Sequence, residues 1–144
     1  IRFIGFIEGI SEDIQKIIKY VELLTQNNTD LTLQLAINYG GRDEIVRTIR
    51  DIVKSVADGV ITMNKITEEY VSSQLFTKEF SDVDLLIRPS SDLRISNFLL
   101  WQLAYAEFWF TDLHWLDFTK ETLLEAVAAY QKRERRFGGL RDEE

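Results

Sequence analysis

Apolar positions along the chain alternate between two periods. Ile1-Arg2-Phe3-Ile4-Gly5-Phe6 reads as a strand with no initiator Met and no polar lead-in, an opening that suggests a cut end. Ser11 is a candidate N-cap, with Glu12 and Asp13 in the first turn, where the helix dipole favours acids. Ile14, Ile17, Ile18, Val21 and Leu24 then recur at helical spacing as far as Asn27-Asn28, which predicts an amphipathic helix. The pattern repeats. Leu31 to Ile37 predicts a strand, Gly40-Gly41 a turn, and Ile45, Val46, Ile49, Ile52, Val53 and Val56 a helix that Gly59 can end. A shorter helix is expected after Thr67, and a strand from Val83 to Arg88. Beyond these, the pattern predicts a helix from Ser96 to about Ala106, a strand from Glu107 to Thr111 and a last helix from Thr119 to about Arg135.

Four strands joined by helical crossovers predict an α/β domain with a mainly parallel sheet. No repeat, low-complexity stretch or linker interrupts the chain, and the single proline, Pro89, stands at a strand-to-helix junction. Residues 1–144 are therefore expected to be part of one domain. In such sheets ligands collect beyond the carboxyl ends of the strands, where helix N-termini also point, so the loops that follow the strands are the place for candidate chemistry.

Composition narrows the classes. Of 144 residues, 45% are hydrophobic and 12% aromatic, enough for a packed core. With 24 acidic side chains against 17 basic ones the net charge is -7, so nucleic acid is not an expected partner. The absence of cysteine excludes disulfides and thiolate metal sites, and the single histidine, His114, excludes a histidine metal cluster and leaves a loop residue. No apolar run approaches the roughly 17–25 residues that span a bilayer, and no signal-peptide pattern occurs, so the expectation is a cytoplasmic location.

The richest junction runs from Arg88 through Pro89-Ser90-Ser91-Asp92-Leu93 to Arg94-Ile95-Ser96-Asn97. Guanidinium forks bind phosphate oxygens, and a helix N-terminus there would add backbone N–H groups, so a phosphate or diphosphate fits this loop. The alternative is that Ser96 caps a helix and both arginines pair with carboxylates. Glu107 lies inside the apolar and aromatic run Ala104 to Phe110. It is either a ligand for Mg²⁺, which takes one or two carboxylates plus phosphate oxygens, or a residue that alternation turns to solvent or to a structural arginine. Asn38-Tyr39-Gly40-Gly41-Arg42 follows a strand, and its glycines permit a tight turn or close backbone approach, with Asn38 and Arg42 supporting a pocket from behind. Lys132-Arg133-Glu134-Arg135-Arg136 gathers four basic residues before Phe137-Gly138-Gly139, as a solvated helix end or as a phosphate-facing tail.

In this order, these islands resemble the cis-prenyltransferases of the undecaprenyl diphosphate synthase family. The resemblance rests on Asn38-Tyr39-Gly40-Gly41-Arg42, on Asp84-Leu85-Leu86-Ile87-Arg88, and on Arg94-Ile95-Ser96-Asn97-Phe98-Leu99-Leu100-Trp101-Gln102 with Tyr105 and Glu107. It extends through Arg133-Glu134-Arg135-Arg136-Phe137-Gly138-Gly139 and covers nearly the whole chain, the Arg94 to Glu107 block being highly specific. It implies condensation of isopentenyl diphosphate onto an allylic diphosphate such as farnesyl diphosphate, with Mg²⁺ as cofactor, growing a Z-configured polyprenyl chain in an apolar tunnel. By that resemblance Arg88, Arg94 and Ser96 bind the diphosphate of isopentenyl diphosphate and Glu107 is a magnesium ligand. Arg136 and Gly138 match an Arg-x-Gly motif that reaches across a homodimer into the partner's site. Membrane contact is at most peripheral, through the lipid product.

Three departures accompany the resemblance. The family has Thr and a Gly-rich, Glu-containing loop where this chain has Pro89-Ser90-Ser91-Asp92-Leu93, and Trp-Pro-Asp-Phe where it has Trp115-Leu116-Asp117-Phe118. The family's upstream Asp-Gly-Asn-Gly-Arg segment, with the catalytic aspartate, does not occur in this sequence; Asp58-Gly59 follows a helix and lacks its continuation. The chain is thus expected to be the C-terminal part of one such domain, inactive by itself. The alternatives are a non-catalytic subunit of a heteromeric prenyltransferase, or an unrelated phosphate-binding α/β module.

Overall fold

In the computed structural model, which describes residues 1–134, each strand forms within the segment that predicts it and is shorter than that segment. The residues divide into two units: Ile1–Ser81 with Asn97–Trp101, and Asp82–Ser96 with the described residues from Gln102 onward. Among the described residues, no helix is long and apolar enough to cross a membrane.

In the first unit, β1 (Arg2–Ile4) pairs parallel with β2 (Gln34–Ala36), in register from Arg2 opposite Gln34 to Ile4 opposite Ala36. The crossover that parallel pairing demands is α1 (Glu12–Thr25). Of its predicted stripe Ile18 is buried, whereas Ile14, Ile17 and Leu24 are exposed. Gly5, at φ +119°, turns the chain out of β1, and a Cβ there would lie 2.1 Å from the Ile37 carbonyl oxygen. The bonds on either side are Ile37 N–H to Ile4 O at 2.9 Å and Phe6 N–H to Asn38 O at 3.1 Å. α2 (Gly41–Ala57) ends where expected: the Asp58 N–H bonds the Lys54 carbonyl and Gly59 takes φ +71°, a conformation glycine adopts without a Cβ penalty. α3 (Glu68–Ser72) is capped by Thr67, whose hydroxyl accepts the Tyr70 N–H. Ile4, Ile18, Ile52 and Leu75 are the buried apolar side chains of this unit. Glu44, 2% exposed, accepts the Tyr39 hydroxyl at 2.6 Å and the Phe76 N–H at 2.7 Å, so its burial is hydrogen-bonded rather than bare.

In the second unit, β3 (Leu85–Arg88) pairs parallel with β4 (Glu107–Phe110), from Leu85 opposite Glu107 to Arg88 opposite Phe110. α4 (Lys120–Gln131), capped by Thr119 through the Thr122 N–H, packs against β4 and buries Thr122 and Ala126, one turn apart on one face. Among the described residues of this unit, Leu103 is also buried. Each strand pair is parallel, as predicted, but among the described residues the strands form two two-stranded ladders, one in each unit, and not one continuous ladder.

The predicted helix from Ser96 to Ala106 does not form. Ser96, Asn97 and Leu99 take φ of 47°, 64° and 44°, left-handed values that an α-helix of L-residues excludes, and the segment runs as successive turns. Its backbone is engaged elsewhere: Asn97 O accepts the Gly41 N–H at 2.7 Å, and Gln102 O accepts the Val83 N–H at 3.0 Å. α4 stops at Gln131, short of the predicted Arg135. Arg135, Arg136, Phe137 and Gly138 lie outside the described residues.

Candidate functional site

The apolar run Leu85-Leu86-Ile87 makes β3, and its ladder continues one step past the strand, where the Thr111 N–H bonds Arg88 O at 3.1 Å. Pro89 has no N–H to continue it. The next two residues are turned into the left-handed region, Ser90 at φ 83° and Ser91 at φ 58°, and are pinned by bonds from Ser90 N–H to Leu113 O (2.8 Å) and Ser91 N–H to Thr111 O (3.2 Å). This reversal brings the Asp92 side chain back beside Arg88. One carboxylate oxygen, Oδ2, holds Arg88 Nη2 at 3.0 Å, and the other, Oδ1, holds Arg94 Nη2 at 2.8 Å. Arg88 is 25% exposed, Asp92 34% and Arg94 67%, so the pair opens to solvent on the Arg94 side.

Two guanidinium groups against one carboxylate leave a local positive charge in an acidic chain. A guanidinium has five N–H donors, and each arginine gives Asp92 one terminal nitrogen, so neither fork is exhausted. The cluster can take a ligand rich in anionic oxygens. Arg88 and Arg94 therefore meet as expected, and the carboxylate pairing of the alternative reading is also present.

Ser96 lies two residues beyond Arg94, at a left-handed turn instead of a helix start. The aligned N–H groups of an α-helix N-terminus are thus not formed at Ser96.

Glu107 opens β4 opposite Leu85, and the Arg133 guanidinium meets it, Nη1 to Oε2 at 2.6 Å, while Nη2 donates to Phe108 O at 2.9 Å. The structural-arginine reading of Glu107 is realised. Paired residues of a parallel ladder share a face and successive residues alternate, so Glu107 and Arg88 face opposite sides of β3–β4, three positions apart. The structure does not bring Glu107 to the arginine pair. Among the described residues no group of three or more His, Cys, Asp or Glu side chains could hold a metal. Glu107 is a hard oxygen donor that fits a magnesium ion only when phosphates and water complete the coordination.

Asn38 and Arg42 serve geometry in the first unit. The Asn38 side-chain amide donates to Phe6 O at 2.9 Å, and the Arg42 N–H donates to Asn97 Oδ1 at 2.9 Å. The close approach expected of the glycines occurs at Gly41, where a Cβ would lie 2.8 Å from Leu100 Cγ. A cavity of about 650 Å³ in this unit, beyond the carboxyl ends of β1 and β2, is lined by Phe6, Asn38, Asp43 and Arg47, whose guanidinium lies 5.3 Å from the Phe76 ring centre. His114 immediately precedes a 3₁₀ turn, Trp115–Asp117, in a loop as expected.

Two residues of these contacts, Asp92 and Arg133, lie outside the expected set. For Asp92 the sequence signal is its spacing, four after one arginine and two before another. Arg133 was one of a basic cluster, and nothing in its spacing points to Glu107, 26 residues earlier.

A family model described as putative undecaprenyl diphosphate synthase matches residues 1–138. An isoprenyl transferase of Geobacillus kaustophilus is 46% identical over 140 residues, 97% of this chain and 54% of that protein. A ditrans,polycis-undecaprenyl-diphosphate synthase of Pasteurella multocida, (2E,6E)-farnesyl-diphosphate specific, is 45% identical over 142 residues, covering 99% and 59%. The crystal structure of lavandulyl diphosphate synthase from Lavandula x intermedia, in complex with dimethylallyl diphosphate, superposes with a TM-score of 0.92 at 39% identity. It covers 95% of this chain and 59% of that one. The chain thus spans little more than half the length of the relatives it matches. Its parallel α/β fold, its ordered motifs and the match over residues 1–138 make it a member of the undecaprenyl diphosphate synthase, or cis-prenyltransferase, family.

Proposed function

We propose that this chain is the C-terminal part of a polyprenyl diphosphate synthase that condenses isopentenyl diphosphate onto an allylic diphosphate such as farnesyl diphosphate, with undecaprenyl diphosphate as the product. The observation that carries the reading is the convergence of Arg88 and Arg94 on a loop at the carboxyl end of β3, where a parallel strand pair presents its ligands. The activities for which the relatives are named supply the reaction class.

In this reaction the allylic C–O bond breaks and diphosphate leaves with the electron pair. The isopentenyl double bond attacks the resulting cation, and loss of a proton restores a double bond. The residues of this chain hold the isopentenyl diphosphate while that happens. Arg88 and Arg94 grip its oxygens and Ser96 adds a hydroxyl, fixing the nucleophilic double bond by its charged end. Magnesium supplies neutralisation of diphosphate charge when bound, and Glu107 is the described carboxylate that would hold it. Arg136 and Gly138 complete the site of the partner in a homodimer. The enzyme works in the cytoplasm, with at most peripheral membrane contact through its lipid product.

The test is steady-state kinetics of the complete enzyme carrying Arg94→Ala. Loss of a preorganised donor costs about 2–4 kcal/mol of transition-state stabilisation, so kcat/KM for isopentenyl diphosphate should fall by roughly 30- to 1,000-fold in a folded protein. Unaltered isopentenyl diphosphate kinetics would overturn the assignment.

A further inference from the structure

We propose that Asp92 is a positioning residue that spaces the Arg88 and Arg94 guanidinium groups for a diphosphate, an inference that rests on the prenyltransferase reading. Its two oxygens are divided between the two arginines, Oδ2 to Arg88 and Oδ1 to Arg94. A single carboxylate thus fixes where one terminal nitrogen of each fork stands. Arg94 is 67% exposed, and without that contact its long side chain would sample many rotamers that binding must then freeze. Asp92 meets that entropic cost before the ligand arrives, which is what preorganisation means for affinity.

The loop that carries Asp92 is itself fixed. Pro89 restricts φ, and Ser90 and Ser91 are held at φ 83° and 58°. Non-glycine residues keep such values only where the surroundings over-determine them, and the bonds to Leu113 O and Thr111 O do so here. Backbone strain in the loop is thereby directed to one outcome, the placement of Asp92 between two arginines. With both oxygens engaged, the negative charge of Asp92 is matched locally by two positive ones, so it orders the cluster without reversing its sign.

The experiment compares wild type, Asp92→Ala, Asp92→Asn and Asp92→Glu in the complete enzyme. For Asp92→Ala, KM for isopentenyl diphosphate should rise about tenfold with kcat and the KM of the allylic substrate changed by less than about threefold. Asp92→Glu, which keeps a two-oxygen bridge on a longer stem, should recover part of the loss. Inorganic pyrophosphate binding, followed by calorimetry, should weaken in parallel. If Asp92→Ala does not fold, Asp92→Asn carries the same test, since it keeps the shape and removes the charge. An unchanged or lower KM, or pyrophosphate bound as tightly or more tightly, overturns the positioning role. Absence of prenyl transfer by the wild type would instead sink the proposed function, and the pyrophosphate measurement would still decide for or against Asp92.

Discussion

Replacing Gly5 with Ala tests how tightly the first strand pair is closed at its carboxyl end. The new Cβ would stand 2.1 Å from the Ile37 carbonyl oxygen and 3.1 Å from its carbon. Ordinary contacts between heavy atoms lie near 3.5 Å, so the two backbones must separate by roughly 1.4 Å. The hydrogen bonds that flank the clash, Ile37 N–H to Ile4 O and Phe6 N–H to Asn38 O, are the ones that stretch, and each contributes about 0.5–1.5 kcal/mol net. Holding alanine at φ +119° costs about 1–3 kcal/mol more. The expected loss is therefore about 2–6 kcal/mol, a large share of the 5–15 kcal/mol that stabilises a typical protein. Urea unfolding of the full-length protein, followed by circular dichroism, reads it as a lowered midpoint. Gly9→Ala is the control, because Gly9 has no positive φ and its Cβ meets only the Asn38 side-chain amide, at 2.9 Å. Equal midpoints for Gly5→Ala and wild type would refute the reasoning; equal losses at Gly5 and Gly9 would refute the part assigned to the Ile37 carbonyl.

Glu107→Gln in the complete enzyme should leave stability within about 1 kcal/mol, since the pair with Arg133 is partly exposed, while raising the Mg²⁺ concentration needed for activity; an unchanged magnesium titration would leave Glu107 a structural residue. The carboxyl of Glu69 lies below its ordinary value of 4.5, chiefly through the Thr67 hydroxyl and then its own backbone N–H. That of Glu121 is lowered by its own backbone N–H and then by Thr119. Depressed folded values mean that these contacts support the starts of α3 and α4 above pH 4.5 and lose that support as pH falls through the folded values. Carbon chemical shifts of the two side chains, followed from pH 6 to pH 2, should show midpoints under 4.5, and ordinary midpoints would contradict the capping contacts.

The helices that sequence made legible carry a local signal at one end at least. α2 has an apolar stripe and a stop at Gly59, and α4 has Thr119 as its cap. The segment from Ser96 carries equally helical spacing in Phe98, Leu99, Leu100 and Leu103, yet its backbone is taken by Gly41 and Val83, partners more than 18 residues away. No local pattern announces a claim of that kind. The arginine pair was visible because Arg88 and Arg94 are near in sequence, and Asp92 between them was readable on the same grounds. Glu107 was readable as a buried-run carboxylate, but its distance from Arg88 depended on the register of β3 with β4, which spacing alone does not fix.

Asn97 also bears on the order in which this chain can mature. The first two N–H groups of α2 have no carbonyl within their own helix, and both are answered by Asn97, Gly41 by its backbone oxygen and Arg42 by its side chain, across 55 residues of sequence in the latter bond. A nascent chain that ends before Asn97 has α2's sequence in full but leaves those two groups to water. The helix start is therefore secured late, after a long loop closes, and its final locking should track the emergence of residue 97 from the ribosome rather than that of α2 itself.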